Sequence, residues 1–361
     1  MIRVTDNQAS APRSILLVRL GSMGDIIHSL PMAAALRLAF PDCELGWAVD
    51  ERWAELLCAP AYPRMGERGP QRPLVDRVFG FQLRNWRRHP LSPKTIRQLR
   101  DVVGVLRTMS YPLVLDMQGS IKSAVVAHLA RGERILGFDN PWERGADAFY
   151  TRRIEAVPLT VHMVERNLSL AEAVTGEPAK EPCFELPHCP VAEAWADDFL
   201  SRQRIERFAL LNPGAGWGAK QWPTERFAEI AKELAAMGVA ALVNFGPGEQ
   251  DLVEEVARLS GGAARPLPCT LSQLIALARR ARLAIGGDTG PLHLASALGV
   301  PVVGLYGPTN PGRNGPRGSR AINLRHPAAV TNYSQVEDDH EGLLAISVEE
   351  VMAAARLLLE N

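Results

Sequence analysis

The stretch Ala284-Ile285-Gly286-Gly287-Asp288-Thr289-Gly290-Pro291-Leu292-His293-Leu294-Ala295 decides how this chain is read. An apolar strand, Arg282 to Ile285, runs into a glycine-rich turn, and the turn opens a helix. Pro291 suits the first helical position, where a missing N–H costs nothing. The amides of Thr289 and Gly290 then point at whatever lies above the helix start, and glycine permits close approach. Such an end is an anion site, most often for phosphate. His293, four residues after Thr289, lies on the same helical face. The bland alternative is a capped helix with a core histidine, but Gly-Gly-Asp-Thr-Gly holds more glycine than capping requires.

Working outward, the same strand–turn–helix unit recurs. Ile15 to Val18 is a buried strand, followed by a helix through Met32 to Phe40. Glu44 to Val49 is the next strand. Leu113 to Asp116 is another, with a helix from Ser120 to Arg131, and Arg134 to Gly137 closes that run. A break comes at Glu177 to Pro190, which holds four prolines. After a helix from Val191 to Arg204 the pattern restarts. Phe208 to Asn212, Val239 to Phe245 and Val302 to Tyr306 are strands, with helices at Thr224–Met237, Glu249–Leu259 and Leu271–Arg279. A last helix runs from Ser347 to Leu359. Alternation of this kind predicts an α/β protein of two doubly wound parallel units in series. We draw the domains at 1–180 and 181–346, followed by a C-terminal helix, 347–361, that can pack back towards the N-terminal domain. Ligands in such units bind beyond the carboxyl ends of the strands, so two facing units would make a cleft between them.

Composition bounds the function. With 361 residues, 47% hydrophobic and 22% charged, the chain reads as an ordinary soluble protein of two domains. Forty basic and forty acidic residues cancel, and no global charge argues for nucleic acid. The five cysteines, Cys43, Cys58, Cys183, Cys189 and Cys269, show no metal-ligand or redox spacing and read as reduced packing residues of a cytoplasmic protein. Met1 to Ser14 is polar, without the apolar core of a signal peptide. No apolar run is long enough to span a bilayer, so any membrane contact would be peripheral.

Three further constellations carry chemistry. The first strand ends in Arg19-Leu20-Gly21-Ser22-Met23-Gly24-Asp25. Its glycines do not have the dinucleotide spacing, although Asp50 after the second strand could imitate that motif's ribose-binding acid. Asp25 reads equally as a helix cap and as a general base, roles that do not exclude each other. In the second unit Pro213-Gly214-Ala215-Gly216 leads to Lys220-Gln221-Trp222-Pro223, where Lys220 is either a solvated lysine or a point charge for a diphosphate. Glu249, in Gly246-Pro247-Gly248-Glu249, could cap a helix or accept hydrogen bonds from a ribose. With Tyr306-Gly307-Pro308-Thr309, four such loops point to a nucleotide-diphosphate pocket. Last, Arg84-Asn85-Trp86-Arg87-Arg88-His89, with Lys94, Arg97 and Arg100, has no acid before Asp101. This basic, Trp-bearing loop suits an anionic acceptor or membrane surface, or the segment is a solvated helix face. Arg107 and Lys122 could extend it. There is no Asp-x-Asp pair and the histidines are scattered, so no metal site or cofactor is expected.

Taken together, Gly21-Ser22-Met23-Gly24-Asp25, Asp116-Met117-Gln118-Gly119 with Lys122-Ser123-Ala124, Lys220-Gln221-Trp222-Pro223, Gly287-Asp288-Thr289-Gly290 with His293, and Tyr306-Gly307-Pro308-Thr309 resemble the ADP-heptose lipopolysaccharide heptosyltransferases, glycosyltransferase family nine, in motif order over nearly the whole chain. The Asp-x-Gln-Gly-x-x-Lys-Ser-Ala run and the basic Trp segment look most like the heptosyltransferase I branch. The polar extension before Ile15 and the stretch His188 to Val191 depart from the pattern. The resemblance implies the GT-B fold and inverting, metal-independent transfer of L-glycero-D-manno-heptose from ADP-heptose to the Kdo of Kdo-lipid A. It implies a peripheral protein on the cytoplasmic face of the inner membrane. Carried over, Asp25 is the general base. Lys220, Glu249, Asp288, Thr289, Gly290 and His293 are donor-binding, and Gly24, Trp86, Arg87, Arg88, Gln118 and Lys122 lie on the acceptor side. Heptosyltransferase II-type transfer to a heptosylated core, a nucleotide-sugar epimerase, an NAD-dependent oxidoreductase and a non-catalytic nucleotide-sugar scaffold are the alternatives. Incubating donor without acceptor would expose an epimerase. Comparing protection against unfolding by NADH and ADP would expose an oxidoreductase.

Overall fold

The computed structural model describes residues 11–318, 320–332 and 341–360; the first ten residues, on which the polar start largely rests, lie outside them. The chain divides into two compact units, Met1–His188 and Cys189–Asn361. The first holds a parallel sheet of β1 (Ser14–Val18), β2 (Glu44–Asp50), β3 (Arg77–Phe81), β4 (Leu113–Asp116), β5 (Arg134–Phe138) and β6 (Arg152–Ile154), in the order β3-β2-β1-β4-β5-β6. The second holds β7 (Phe208–Asn212), β8 (Ala240–Asn244), β9 (Ala264–Leu267), β10 (Leu283–Gly287), β11 (Val302–Tyr306) and β12 (Ala321–Arg325), ordered β12-β11-β10-β7-β8-β9 and again all parallel. The same winding is thus run twice. In each unit the strand order reverses between two central strands, β1 and β4 or β7 and β10, and that is where doubly wound sheets open a crevice.

The eight inner strands follow the sequence pattern because a strand buried on both faces must be an unbroken apolar run. Ile15 to Val18 and Leu283 to Ile285 are fully buried. The four strands the pattern misses, β3, β6, β9 and β12, are the four sheet edges. An edge strand is open along one side, so its sequence need not be uniformly apolar. The β6 sequence is Arg-Arg-Ile. The β9 sequence is Ala-Arg-Pro-Leu, and Pro266 is tolerated there because an edge has one ladder direction to spare.

Other differences have local causes. The basic segment, read as a loop or as a solvated helix face, is a short helix, Leu83–Arg88, followed by a second, Pro93–Thr108, capped by the Ser92 hydroxyl. Helix Met163–Thr175 is capped by His162, whose Nδ1 accepts from the Val164 amide at 3.1 Å, an unusual start that hides the boundary; its end at Gly176, with φ +76°, was the readable signal. The C-terminal helix Val348–Glu360 buries Val351, Met352, Ala355 and Leu358 in the core of the second unit. Of the five free cysteines, Cys43 and Cys58 are buried, and burial pushes the Cys43 thiol up to about 11. Cys183 is exposed and is no packing residue.

Candidate functional site

In the first unit the loops after β1 and β4 lie side by side, because Val18 pairs with Asp116 at the end of the ladder. Two bonds tie them: the Leu20 amide donates to Gln118 Oε1 at 2.9 Å, and Arg19 Nη1 donates to the Met117 carbonyl at 2.7 Å. Asp116 is buried beneath. It accepts from the amides of Gln118 and Gly119, from Ser123 Oγ and from Tyr150 OH. Burial raises its carboxyl while those four donors oppose the rise. It is a loop organiser. Gly119, at φ +69°, takes a backbone conformation that side chains other than glycine rarely adopt. Gln118 likewise spends both ends internally, its Nε2 donating to Ser120 Oγ at 3.0 Å.

Asp25 sits in the first turn of helix Met23–Ile27 and reaches back to Ser22, accepting from its amide at 2.8 Å and from its hydroxyl at 2.9 Å, both on Oδ2. Arg19 Nη2 meets Oδ1 at 2.6 Å. The side chain is still 36% exposed. A carboxylate offers about four acceptor positions. Three are taken among the described residues, so one on Oδ1 remains. The contact that closes the helix start therefore leaves the carboxylate able to accept one further hydrogen bond, so the two readings of the sequence stay compatible.

Of the residues read on the acceptor side, Gly24 is buried within the helix that carries Asp25, and Lys122 is exposed at the start of helix Ile121–Leu129. Arg84, Arg87 and Arg88 are exposed on helix Leu83–Arg88. Trp86 points the other way. It packs edge-on to Phe81 at 6.0 Å in the core and donates through Nε1 to Gln98 Oε1 at 3.1 Å. Read as part of a loop it looked available; on a helix its position buries it.

In the second unit the loop after β10 carries a connected triad. Asp288 Oδ2 meets Lys220 Nζ at 2.6 Å and its Oδ1 meets His293 Nε2 at 2.9 Å. Burial alone would raise the Asp288 carboxyl. The His293 hydrogen bond and the Lys220 charge overcome that and hold it well below the usual carboxylate range. Lys220 is thus no free point charge. It is gathered by Asp288, and stands over the Trp217 ring at 5.8 Å. The helix Gly290–Ala297 has Thr289 as N-cap and Gly290 as its first residue, so Pro291 takes the second position and not the first. The cap is unsupported by its own hydroxyl, since no hydrogen bond reaches Thr289 Oγ1 among the described residues. Glu249 reaches back to the Gly246 amide at 2.7 Å through Oε2. A Cβ on Gly214 would strike its carboxylate, so two of the glycine loops meet at this side chain.

Sequence reasoning missed one feature. Asn212, Tyr306 and Thr309 are 3%, 0% and 1% exposed, yet Asn212 Oδ1 and Nδ2, Tyr306 OH and Thr309 Oγ1 have no hydrogen-bond partner among the described residues. They end β7 and β11 or follow β11, on either side of the Asp288 turn. Buried polar groups left unpaired cost about 1–3 kcal/mol each, and these four atoms gather at the ends of adjacent strands around one turn. The backbone is close-packed here as well. A Cβ on Gly287 would lie 2.7 Å from the Lys220 carbonyl oxygen. Gly287→Ala should therefore destabilise by about 1–3 kcal/mol, read as a lower urea midpoint; an unchanged midpoint would show that the strand ends yield freely.

Among the described residues no three His, Cys, Asp or Glu side chains gather as a metal site, and no helix is long and apolar enough to cross a membrane.

Residues 100–343 match the pattern of glycosyltransferase family 9 (heptosyltransferase). Lipopolysaccharide heptosyltransferase 1 of Pseudomonas aeruginosa is 30% identical, the alignment covering 95% of this chain and 94% of that protein. The solved structure of E. coli heptosyltransferase WaaC with ADP superposes with a TM-score of 0.75 at 25% identity, over 96% of this chain and 99% of that one. The same E. coli enzyme with ADP-2-deoxy-2-fluoro heptose gives a TM-score of 0.71 at 25% identity, over 95% and 99%.

Proposed function

The chain belongs to glycosyltransferase family 9, the heptosyltransferases, and from that premise we propose that it transfers L-glycero-D-manno-heptose from ADP-heptose, with inversion, to the Kdo of a Kdo-lipid A acceptor in inner-core lipopolysaccharide synthesis. The observation that carries the donor half is the Lys220–Asp288–His293 triad at a helix start, flanked by the unpaired polar groups of Asn212, Thr289, Tyr306 and Thr309. In this reading the diphosphate lies on the helix-terminal amides, where the dipole favours negative charge. Asp288 neutralises and orients Lys220 and His293, which then meet the phosphates as positioned donors. The charge that builds on the departing ADP is held by these preset dipoles, so no metal enters the scheme. Glu249 Oε1 bears no hydrogen bond among the described residues and is free for ribose hydroxyls.

Asp25 takes the proton from the acceptor hydroxyl at the open position on Oδ1. A single base and a good leaving group suffice for one direct displacement, which inverts the anomeric centre. The acceptor side is the exposed basic face of helices Leu83–Arg88 and Pro93–Thr108, with Lys122. Arg84, Arg87, Arg88, Lys94 and Arg97 are exposed beside Leu91, which is 85% exposed. That combination suits an anionic lipid-linked sugar at the surface of a bilayer and supports a peripheral location on the cytoplasmic face of the inner membrane. Reversing charge in the double variant Arg87→Glu, Arg88→Glu should raise the acceptor KM about tenfold or more, steeply at low salt, and leave the donor KM unchanged. Equal KM values would remove this face from the acceptor site.

The deciding assay offers the purified protein ADP-heptose with Kdo-lipid A, and separately with a heptosylated acceptor, and weighs the products by mass spectrometry. Heptose added to Kdo-lipid A is expected. Addition only to the heptosylated acceptor would move the protein to the second transfer. Isomerised donor without any transfer would mark an epimerase.

A further inference from the structure

We propose that Arg19 is the positioning residue for the general base, holding the Asp25 carboxylate by one nitrogen while anchoring itself to the next loop by another. The proposal rests on the reading of Asp25 as base. Arg19 follows β1, whose residues Ile15 to Val18 are fully buried, and is itself only 5% exposed. Its Nη2 lies 2.6 Å from Asp25 Oδ1 and its Nη1 donates to the Met117 carbonyl at 2.7 Å; its Nε has no partner among the described residues. Its own carbonyl is held by Trp47 Nε1 at 3.2 Å.

This is a poor place for a cation if stability were its purpose. Burying a guanidinium is costly, and an apolar residue of similar volume is often neutral or better. The charge nonetheless sits there, with five N–H groups of which two are used among the described residues. What it achieves is geometric. Ser22 fixes Oδ2 through two bonds, and Arg19 fixes Oδ1 from the side of the β4 loop. The plane of the carboxylate is then determined by three contacts, and the one acceptor position left on Oδ1 points in a single direction. A base that must meet one hydroxyl gains more from such a fixed direction than from mobility. The bond to Met117 makes the direction depend on the loop that also carries Gln118, so the two switch-point loops set it together.

The test is steady-state kinetics of Arg19→Met, Arg19→Gln and Arg19→Lys beside Asp25→Asn, with folding checked by circular dichroism. Loss of the charge should lower kcat about a hundredfold while the donor KM stays within about twofold, because the donor contacts lie in the second unit. Arg19→Lys keeps a cation and should recover at least about a tenth of the wild-type rate. If the Met variant does not fold, the Gln variant, which keeps polar reach without charge, supplies the comparison. Wild-type kcat in a folded neutral variant, with Asp25→Asn inactive, would overturn the role of Arg19 and leave the base intact. An active Asp25→Asn would instead overturn the base. A fall in kcat matched by an equal rise in donor KM, without rescue by Lys, would reduce Arg19 to a general structural support.

Discussion

Asp25→Asn is expected to bind ADP as tightly as the wild type and to transfer almost no heptose. The substitution keeps the size of the side chain and an oxygen that can still accept from Ser22, so the cap on helix Met23–Ile27 is largely preserved. It removes the ability to take a proton, a step worth roughly 10²–10⁴ in rate. The Arg19 guanidinium also loses its counter-charge, which will lower the melting temperature somewhat. ADP titration by calorimetry separates the two effects: an unchanged Kd with kcat down by at least two decades fits a base, whereas near-normal turnover excludes one. Asp25→Ala should be equally inactive but less stable, since it forfeits the cap, worth about 1 kcal/mol, as well.

The second large effect is expected at Asp288. Its carboxylate is buried, and both oxygens are committed, to Lys220 and to His293. Asp288→Ala leaves an ammonium and an imidazole without their acid, and breaking a buried pair from one side typically costs 3–5 kcal/mol. Lys220 retains about a fifth of its exposure, so the lower end, about 3 kcal/mol, is expected. ADP should then protect the variant far less against heat than it protects the wild type. The pH dependence has a definite sign. The folded-state carboxyl is held below its unfolded value, so its contribution is fully present above that unfolded value, about 3.9, and is lost as pH falls towards the folded one. The stability gap between wild type and Asp288→Ala should therefore be widest near neutral pH and close in acid. A gap below about 1 kcal/mol at pH 7 would mean that the triad is no buried charge cluster.

Much of the Asp288 cluster was legible in the chain because it is local. Asp288, Thr289, Gly290 and His293 fall within six residues, and a strand–glycine–helix junction dictates their common end of the sheet. Lys220 is 68 residues away from Asp288, and the sequence could not choose between a surface lysine and a ligand. The basic segment was read less well. Trp86 was grouped with its arginine neighbours because a loop has no inside; once Leu83–Arg88 is helical, the arginines and the tryptophan part company. Arg19 carried no signal at all, since a basic residue closing an apolar strand looks like the start of the solvent.

The amino-acid sequence by itself determined the α/β class, the two windings, the inner strands and the strand–glycine–helix junction at Asp288, because burial on both faces and glycine-dependent turns leave their mark on consecutive residues. Only the tertiary structure decided the pairs: Arg19 with Asp25 and Met117, Lys220 with Asp288, Tyr150 with Asp116, and the unpaired Asn212 beside the turn. Those depend on which strand ends the parallel ladders bring into register, on which helical face turns inward, and on charges that are strong only once water is gone.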